Sequence, residues 1–141
     1  MARSTRFVLL GIFTLGLTVY LAAPARAECV AKAGSIFFVT DRQPLDDNQL
    51  FSGEWGTDPN HNPIISAGVI SAPVSKSNES LCSRQAFINA VRSRFVKNRP
   101  RQVLVYVHGY YTSFVTAVET AMELQHGLQF PGPVIVYSWP A

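Results

Sequence analysis

The sequence predicts an α/β fold, a mixed and largely parallel sheet with helices packed against it. Three observations carry that reading. Gln102 to Val107 and Val134 to Ser138 are short, β-branched, almost uninterrupted apolar runs, the pattern of strands covered on both faces. Between them, Ser113 opens a stretch with apolar residues at helical spacing. Strand, helix and strand joined by short turns is the order that produces parallel pairing.

The remaining elements follow in chain order. Ser35 to Thr40 (Ser-Ile-Phe-Phe-Val-Thr), bounded by Gly34 and by Asp41-Arg42-Gln43-Pro44, reads as a buried strand. Pro44 to Pro63 is rich in Asp, Asn, Gly and Pro and reads as loop. Ile64 to Val74 is a strand candidate interrupted by Gly68 and Pro73, and Ser75 to Ser80 reads as a polar linker. From Ser83 to Asn98, apolar Phe87, Ile88, Val91 and Phe95 recur at helical spacing, and Pro100 stops the element. Its other faces carry Arg84, Arg92, Arg94, Lys97 and Arg99. With no aromatic residues interleaved on that face, these read as a solvated surface and not as an anion or nucleic-acid patch. Ser113 is the expected N-cap of the next helix. Its stripe is Phe114, Ala117, Val118, Ala121, Leu124 and Leu128, closed by Phe130-Pro131-Gly132-Pro133. No internal repeat is present.

The first 27 residues read as a leader. Arg3 and Arg6 precede an apolar stretch from Phe7 to Ala23, and Ala25-Arg26-Ala27 supplies a small-residue cleavage signal. The expectation is a cleaved signal peptide and an exported, periplasmic or secreted protein with no stable membrane span after cleavage. A retained leader would instead tether the protein to a membrane. Removing Arg3, Arg6 and Arg26 from the 12 basic residues leaves nine against nine acidic ones, so the net charge of +3 belongs to the leader. A neutral balance in residues 28–141 gives no electrostatic case for a nucleic-acid partner. Cys29 and Cys82 allow one intramolecular pairing, and an oxidising compartment would favour a disulfide between them over two buried thiols.

The strand ending at Val107 runs into His108-Gly109-Tyr110-Tyr111. Glycine accepts backbone angles closed to other residues, so Gly109 is expected to turn the chain sharply, with His108 holding the loop through its ring nitrogens. A strand that simply turns through Gly109, with His108 satisfied in the core, would have the same local sequence.

Longer segments are more specific. They are Phe38-Val39-Thr40-Asp41-Arg42, Leu104-Val105-Tyr106-Val107-His108-Gly109-Tyr110, Thr112-Ser113-Phe114, and Phe130-Pro131-Gly132-Pro133-Val134-Ile135-Val136-Tyr137-Ser138-Trp139-Pro140. In these, and in their order and spacing, residues 35–141 resemble a family of secreted or membrane-associated bacterial α/β-hydrolase-fold proteins, esterase- or lipase-like and largely of unknown function. The resemblance implies the N-terminal part of an α/β-hydrolase sheet. It also implies hydrolysis of an ester or related acyl bond of a small substrate by a serine nucleophile; no cofactor is expected, and no residue is assigned to a metal. Fixed N–H donors stabilise the oxyanion of such a reaction, and the backbone amide of Tyr110 is the prospective donor, with His108 and Gly109 supporting its turn.

The chain departs from the family in two ways. Members usually carry Asn where this chain has Tyr111. They also continue past Trp-Pro to a His-Ser-Met-Gly elbow and then an acid and a histidine, whereas no G-x-S-x-G occurs here, so no catalytic residue is assigned. Residues 28–141 are therefore expected to be the N-terminal portion of the domain, cut before the nucleophile elbow and inactive. The strand ending at Ser138 should have an open edge, leaving the chain to fold poorly or self-associate. A non-catalytic exported protein binding a partner across that edge is the alternative. Ser138 lacks the glycines of an elbow. His61, His108 and His126 lack metal-ligand spacing, and Asp41 and Arg42 are expected to pair locally.

Overall fold

β-Branched and aromatic runs supply the strands of a five-stranded sheet. The computed structural model describes residues 29–45 and 50–140, so the expected leader, residues 1–27, lies outside the described residues. In chain order the elements are β1 (Ile36–Thr40), β2 (Arg42–Pro44), β3 (Phe51–Trp55), β4 (Ser66–Ile70), β5 (Glu79–Leu81), α1 (Arg84–Ser93), β6 (Leu104–Val107), α2 (Phe114–Gly127) and β7 (Val134–Ser138). The sheet order is β5-β4-β1-β7-β6, with β2 and β3 forming a separate two-stranded sheet. β7 pairs in parallel with both β1 and β6, while β4 pairs antiparallel with β1 and β5. The sheet is mixed α/β, as the strand–helix–strand pattern requires.

Each face of the sheet has its own core. On one, Ile36, Phe38, Val134 and Val136 meet Phe114, Ala117, Val118 and Ala121 of α2. Phe38 packs edge-on against Phe114 and Phe51, with ring centroids at 5.2 and 5.7 Å. On the other, Phe37 and Val69 are buried against Ala90 of α1, and Phe87 meets Phe37 at 5.7 Å. Cys29 and Cys82 are disulfide-bonded beside this second cluster, with Cα atoms 5.2 Å apart. Both helices begin at a serine that accepts a backbone N–H three residues on, Ser83 from Ala86 and Ser113 from Thr116.

Several expectations need correction. The segment 44–63 is not all loop. β3 folds back on β2, pairing Pro44 with Phe51, because Leu50 and Phe51 bury against the α2-side core. Gly68 does not interrupt its strand. It sits inside β4, where a Cβ would run into the Ser80 carbonyl and the Phe38 ring, so the glycine admits a close approach. The polar stretch 75–80 contains a short 3-10 turn and the start of β5, an edge strand with little to bury. α1 ends at Ser93, before Asn98, as its last turn tightens to bonds from Arg94 to Val91 and Phe95 to Arg92. Leu128 caps α2 and stays exposed.

The largest correction concerns the sheet edge. The strand ending at Ser138 is not at the edge; β7 lies between β1 and β6. β6 is the edge, and it is not covered on both faces, since Val105 and Val107 are 57% and 54% exposed. Leu104 and Tyr106 pack on the α2-side core, so alternation places both valines on the opposite face. The Leu104 N–H bonds to Pro133 of the neighbouring segment. The main-chain groups of Val105 and Val107 therefore point away from β7, toward the open edge.

Candidate functional site

The C-terminal ends of β1, β6 and β7 converge, and the side chains there form one connected polar cluster. His108 follows β6 directly and is buried. Its Nδ1 lies 2.7 Å from the Gly109 carbonyl oxygen, which only accepts, so Nδ1 carries the proton. Its Nε2 therefore accepts, and three donors reach it: the Trp139 backbone N–H at 3.2 Å, the Ser138 hydroxyl at 3.2 Å and Arg42 Nη2 at 3.3 Å. The indole of Trp139 stacks on the imidazole, planes 4° apart, and donates to the His108 carbonyl at 3.1 Å. With both nitrogens committed, His108 fixes the loop and has no lone pair free to take a substrate proton.

Arg42 is the hub of this cluster. It is 2% exposed and is the largest fully buried side chain among the described residues. Its Nε donates to Ser138 Oγ at 2.9 Å, Nη1 to the Ser52 carbonyl at 3.0 Å, and Nη2 to the Thr112 carbonyl at 2.6 Å. Burial pushes its guanidinium below its usual range, and the charge of Asp41 opposes that shift. The expected local ion pair between Asp41 and Arg42 is not formed. Consecutive side chains on an extended backbone point to opposite faces, so Asp41 turns instead to the Tyr137 hydroxyl at 2.8 Å. Asp41 Oδ1 is buried without a hydrogen-bond partner among the described residues.

Ser138 and His108 are hydrogen-bonded, which on distance alone is the relation of a nucleophile to its base. Burial argues against that role. Ser138 is 0% and His108 3% exposed, and the serine oxygen is also occupied by Arg42. No carbonyl carbon can reach that oxygen without dismantling the cluster.

The loop after His108 differs from its expected geometry. Gly109 does not take a positive φ; Tyr111 does, at 56°. A Cβ at Gly109 would meet nothing within 4 Å, so neither backbone angle nor crowding requires glycine there. For a bulky residue a left-handed conformation is strained, whereas Asn adopts it readily. Asn, the residue the resembling family usually has at this position, fits the observed angle. Replacing Tyr111 by Asn should raise stability by about 1 kcal/mol, read as a rise in urea midpoint at unchanged slope. A lower midpoint would mean that contacts of Tyr111, including its edge-on packing on Tyr110 at 4.4 Å, outweigh the backbone strain.

Tyr110, the prospective oxyanion donor, is 68% exposed on the same loop, and its ring leans toward Trp139 at 6.3 Å. The loop is held from behind by Arg42 through Thr112 and by His108 through Gly109. The structure thus brings His108, Gly109 and Tyr110 together with Ser138, Trp139 and Arg42. It leaves His61 and His126 exposed on a loop and on α2. Among the described residues, no group of three His, Cys, Asp or Glu side chains is placed to hold a metal ion. Sequence reasoning placed Arg42 in a local pair with Asp41 and missed its central role. The available signal was an arginine two residues past the end of a five-residue strand buried along almost its whole length.

The hydrogen bond to Asp41, followed by burial and by the charge of Asp41, pushes the Tyr137 hydroxyl above its usual 10.0. The folded state thus favours the protonated phenol. This contribution is complete below the unfolded value and is lost as pH rises through the folded one. Ultraviolet titration should show one tyrosine ionising late, and Asp41→Asn should bring it back toward the others. Unchanged titration in that variant would dissociate Tyr137 from Asp41.

Residues 83–141 match a family described as alpha/beta hydrolase of unknown function (DUF900), a span that contains β6, α2, β7 and the His108–Trp139 cluster. No curated protein and no solved structure shows a significant match to the chain.

Proposed function

We propose that this chain carries the oxyanion loop of an exported α/β-hydrolase acting on ester or related acyl bonds of small substrates, and that the Ser138–His108 pair takes no part in its chemistry. The observation that carries this reading is the loop 108–112. A parallel strand delivers it to the end of the sheet, a buried histidine and arginine brace it from behind, and Tyr110 is presented outward. Donors fixed before substrate arrives are what oxyanion stabilisation needs, each contributing roughly 10²–10³ in rate. The sealed Ser138–His108 pair supports the second clause, because neither atom is open to an acyl group. The leader-like first 27 residues support export.

Fluorophosphonate labelling tests both clauses. Ser138 should not label, and labelling there would overturn its structural assignment. The native protein isolated from its source should label and hydrolyse simple esters. Tyr110→Pro, which removes the amide N–H, should then cost roughly 10²–10³ in kcat, while Tyr110→Phe should cost little.

A second reading has one observation in its favour. β6 presents the unpaired main chain and exposed side chains of Val105 and Val107 and carries no charge or proline to deter pairing. A non-catalytic protein would use this edge to add a partner's strand or a second copy of itself. Native protein that forms a stable complex through β6 and neither labels nor hydrolyses would decide for this reading.

A further inference from the structure

Away from the loop, residues 84–101 contain six Lys or Arg (Arg84, Arg92, Arg94, Lys97, Arg99 and Arg101) and no Asp or Glu. In sequence this looks like a solvated helix face, but the structure does something more specific with it. α1 stops at Ser93, and Asn98 takes a left-handed φ of 62°, folding the chain back before β6. That turn brings Arg92, from the last turn of the helix, together with Lys97, Arg99 and Arg101 around a single cavity of about 410 Å³. Phe95 and Val96 complete its lining with Asn98, and no acidic residue takes part. Among the described residues none of these four cations forms a salt bridge. Arg94 is employed differently, donating to the Lys32 carbonyl, and Arg84 lies a helix length away at the start of α1.

The negative end of the α1 dipole accounts for one cation beside it, and its influence fades within a turn. It does not account for four converging on one concavity, where each raises the cost of the next. Apolar walls against the arginine stems reduce screening, and several guanidiniums in fork geometry match the oxygens of a phosphate group. We propose that this cavity is a binding site for a multivalent phosphate group, a pyrophosphate or a phosphomonoester. It is independent of the hydrolase-type loop, since it precedes β6 while His108 follows it, at opposite ends of the strand. The phosphate could be free in solution or be a lipid headgroup, and the chemistry of recognition is the same.

The test uses the full chain, titrated with pyrophosphate and followed by calorimetry and by the arginine Nε–H resonances. Saturable binding is expected, with the Arg92 and Arg99 signals shifted. Arg92→Ala and Arg99→Ala should each weaken it roughly tenfold, the loss of one charge-assisted hydrogen bond. Both residues are exposed, and circular dichroism melts verify that the variants fold. Arg84→Ala, equally basic but outside the cavity, should leave affinity unchanged. Co-sedimentation with phosphatidic acid vesicles, compared with phosphatidylcholine alone, separates the sources. Sedimentation lost in Arg92→Ala identifies a headgroup, and pyrophosphate binding without sedimentation identifies a soluble phosphate. The absence of saturable binding to either probe overturns the site. So does a loss as large in Arg84→Ala as in Arg99→Ala, which would reduce it to a diffuse field.

Discussion

Arg42→Met should cost about 3–5 kcal/mol, the range for removing one partner from a buried charged network. Methionine nearly fills the space of the arginine stem, so the loss is not chiefly one of packing. The part-buried Ser52 and Thr112 carbonyls lose the donor that Arg42 supplies, and an acceptor that water cannot reach in its place costs about 1–3 kcal/mol. Asp41 also loses the positive charge beside it while one of its oxygens is already unpartnered. A domain of this size has only about 5–15 kcal/mol in hand, so the variant should sit close to unfolding at room temperature. Arg42→Lys should recover little, because one ammonium cannot reach Ser138, Ser52 and Thr112 from the same point. Urea melts measure the loss, and amide exchange locates it, with the segment around Tyr110 to Ser113 opening first. A variant as stable as the parent, with unchanged exchange there, would mean that the guanidinium braces nothing.

That Arg42 was not legible in the sequence follows from how its interactions arise. Its partners are separated from it by 10, 66, 70 and 96 positions, so no local pattern records them. What periodicity does record is burial. β1, β7 and α2 were readable because Ile36–Thr40, Val134–Ser138 and the Phe114–Ala121 stripe each face a core. β2, β3 and β5 were not, because strands that are half-buried or exposed along most of their length have no apolar alternation to display. The edge was misplaced for a related reason. Val103-Leu104-Val105-Tyr106-Val107 looks as apolar as a central strand, and strand order is a property of the whole sheet. In the loop itself a sharp turn is expected at Gly109. Gly109 drew the assignment, whereas the left-handed angle falls on Tyr111.

Reducing the Cys29–Cys82 disulfide, or replacing both cysteines by serine, should cost about 4 kcal/mol. The bond joins positions 53 apart, and loop-closure entropy removed from the unfolded chain gives that magnitude for a loop of this length. The consequence should be local as well as global. Residues 29–35 pair with no strand, and Cys29 and Ala31 reach the Phe37–Val69–Ala90 cluster alongside the bond to Cys82, one residue before the cap of α1. Without the bond, the segment before β1 should detach first, and Phe37 and Phe87 should lose their cover next. Melts with and without a thiol reductant, alongside alkylation and mass measurement of the native protein, check both points. A fall in midpoint with two alkylated cysteines only after reduction is the expected outcome. Full alkylation before reduction would show that the native protein keeps free thiols. An unshifted midpoint after complete reduction would show that packing of the second face, and not the covalent tie, holds the segment down.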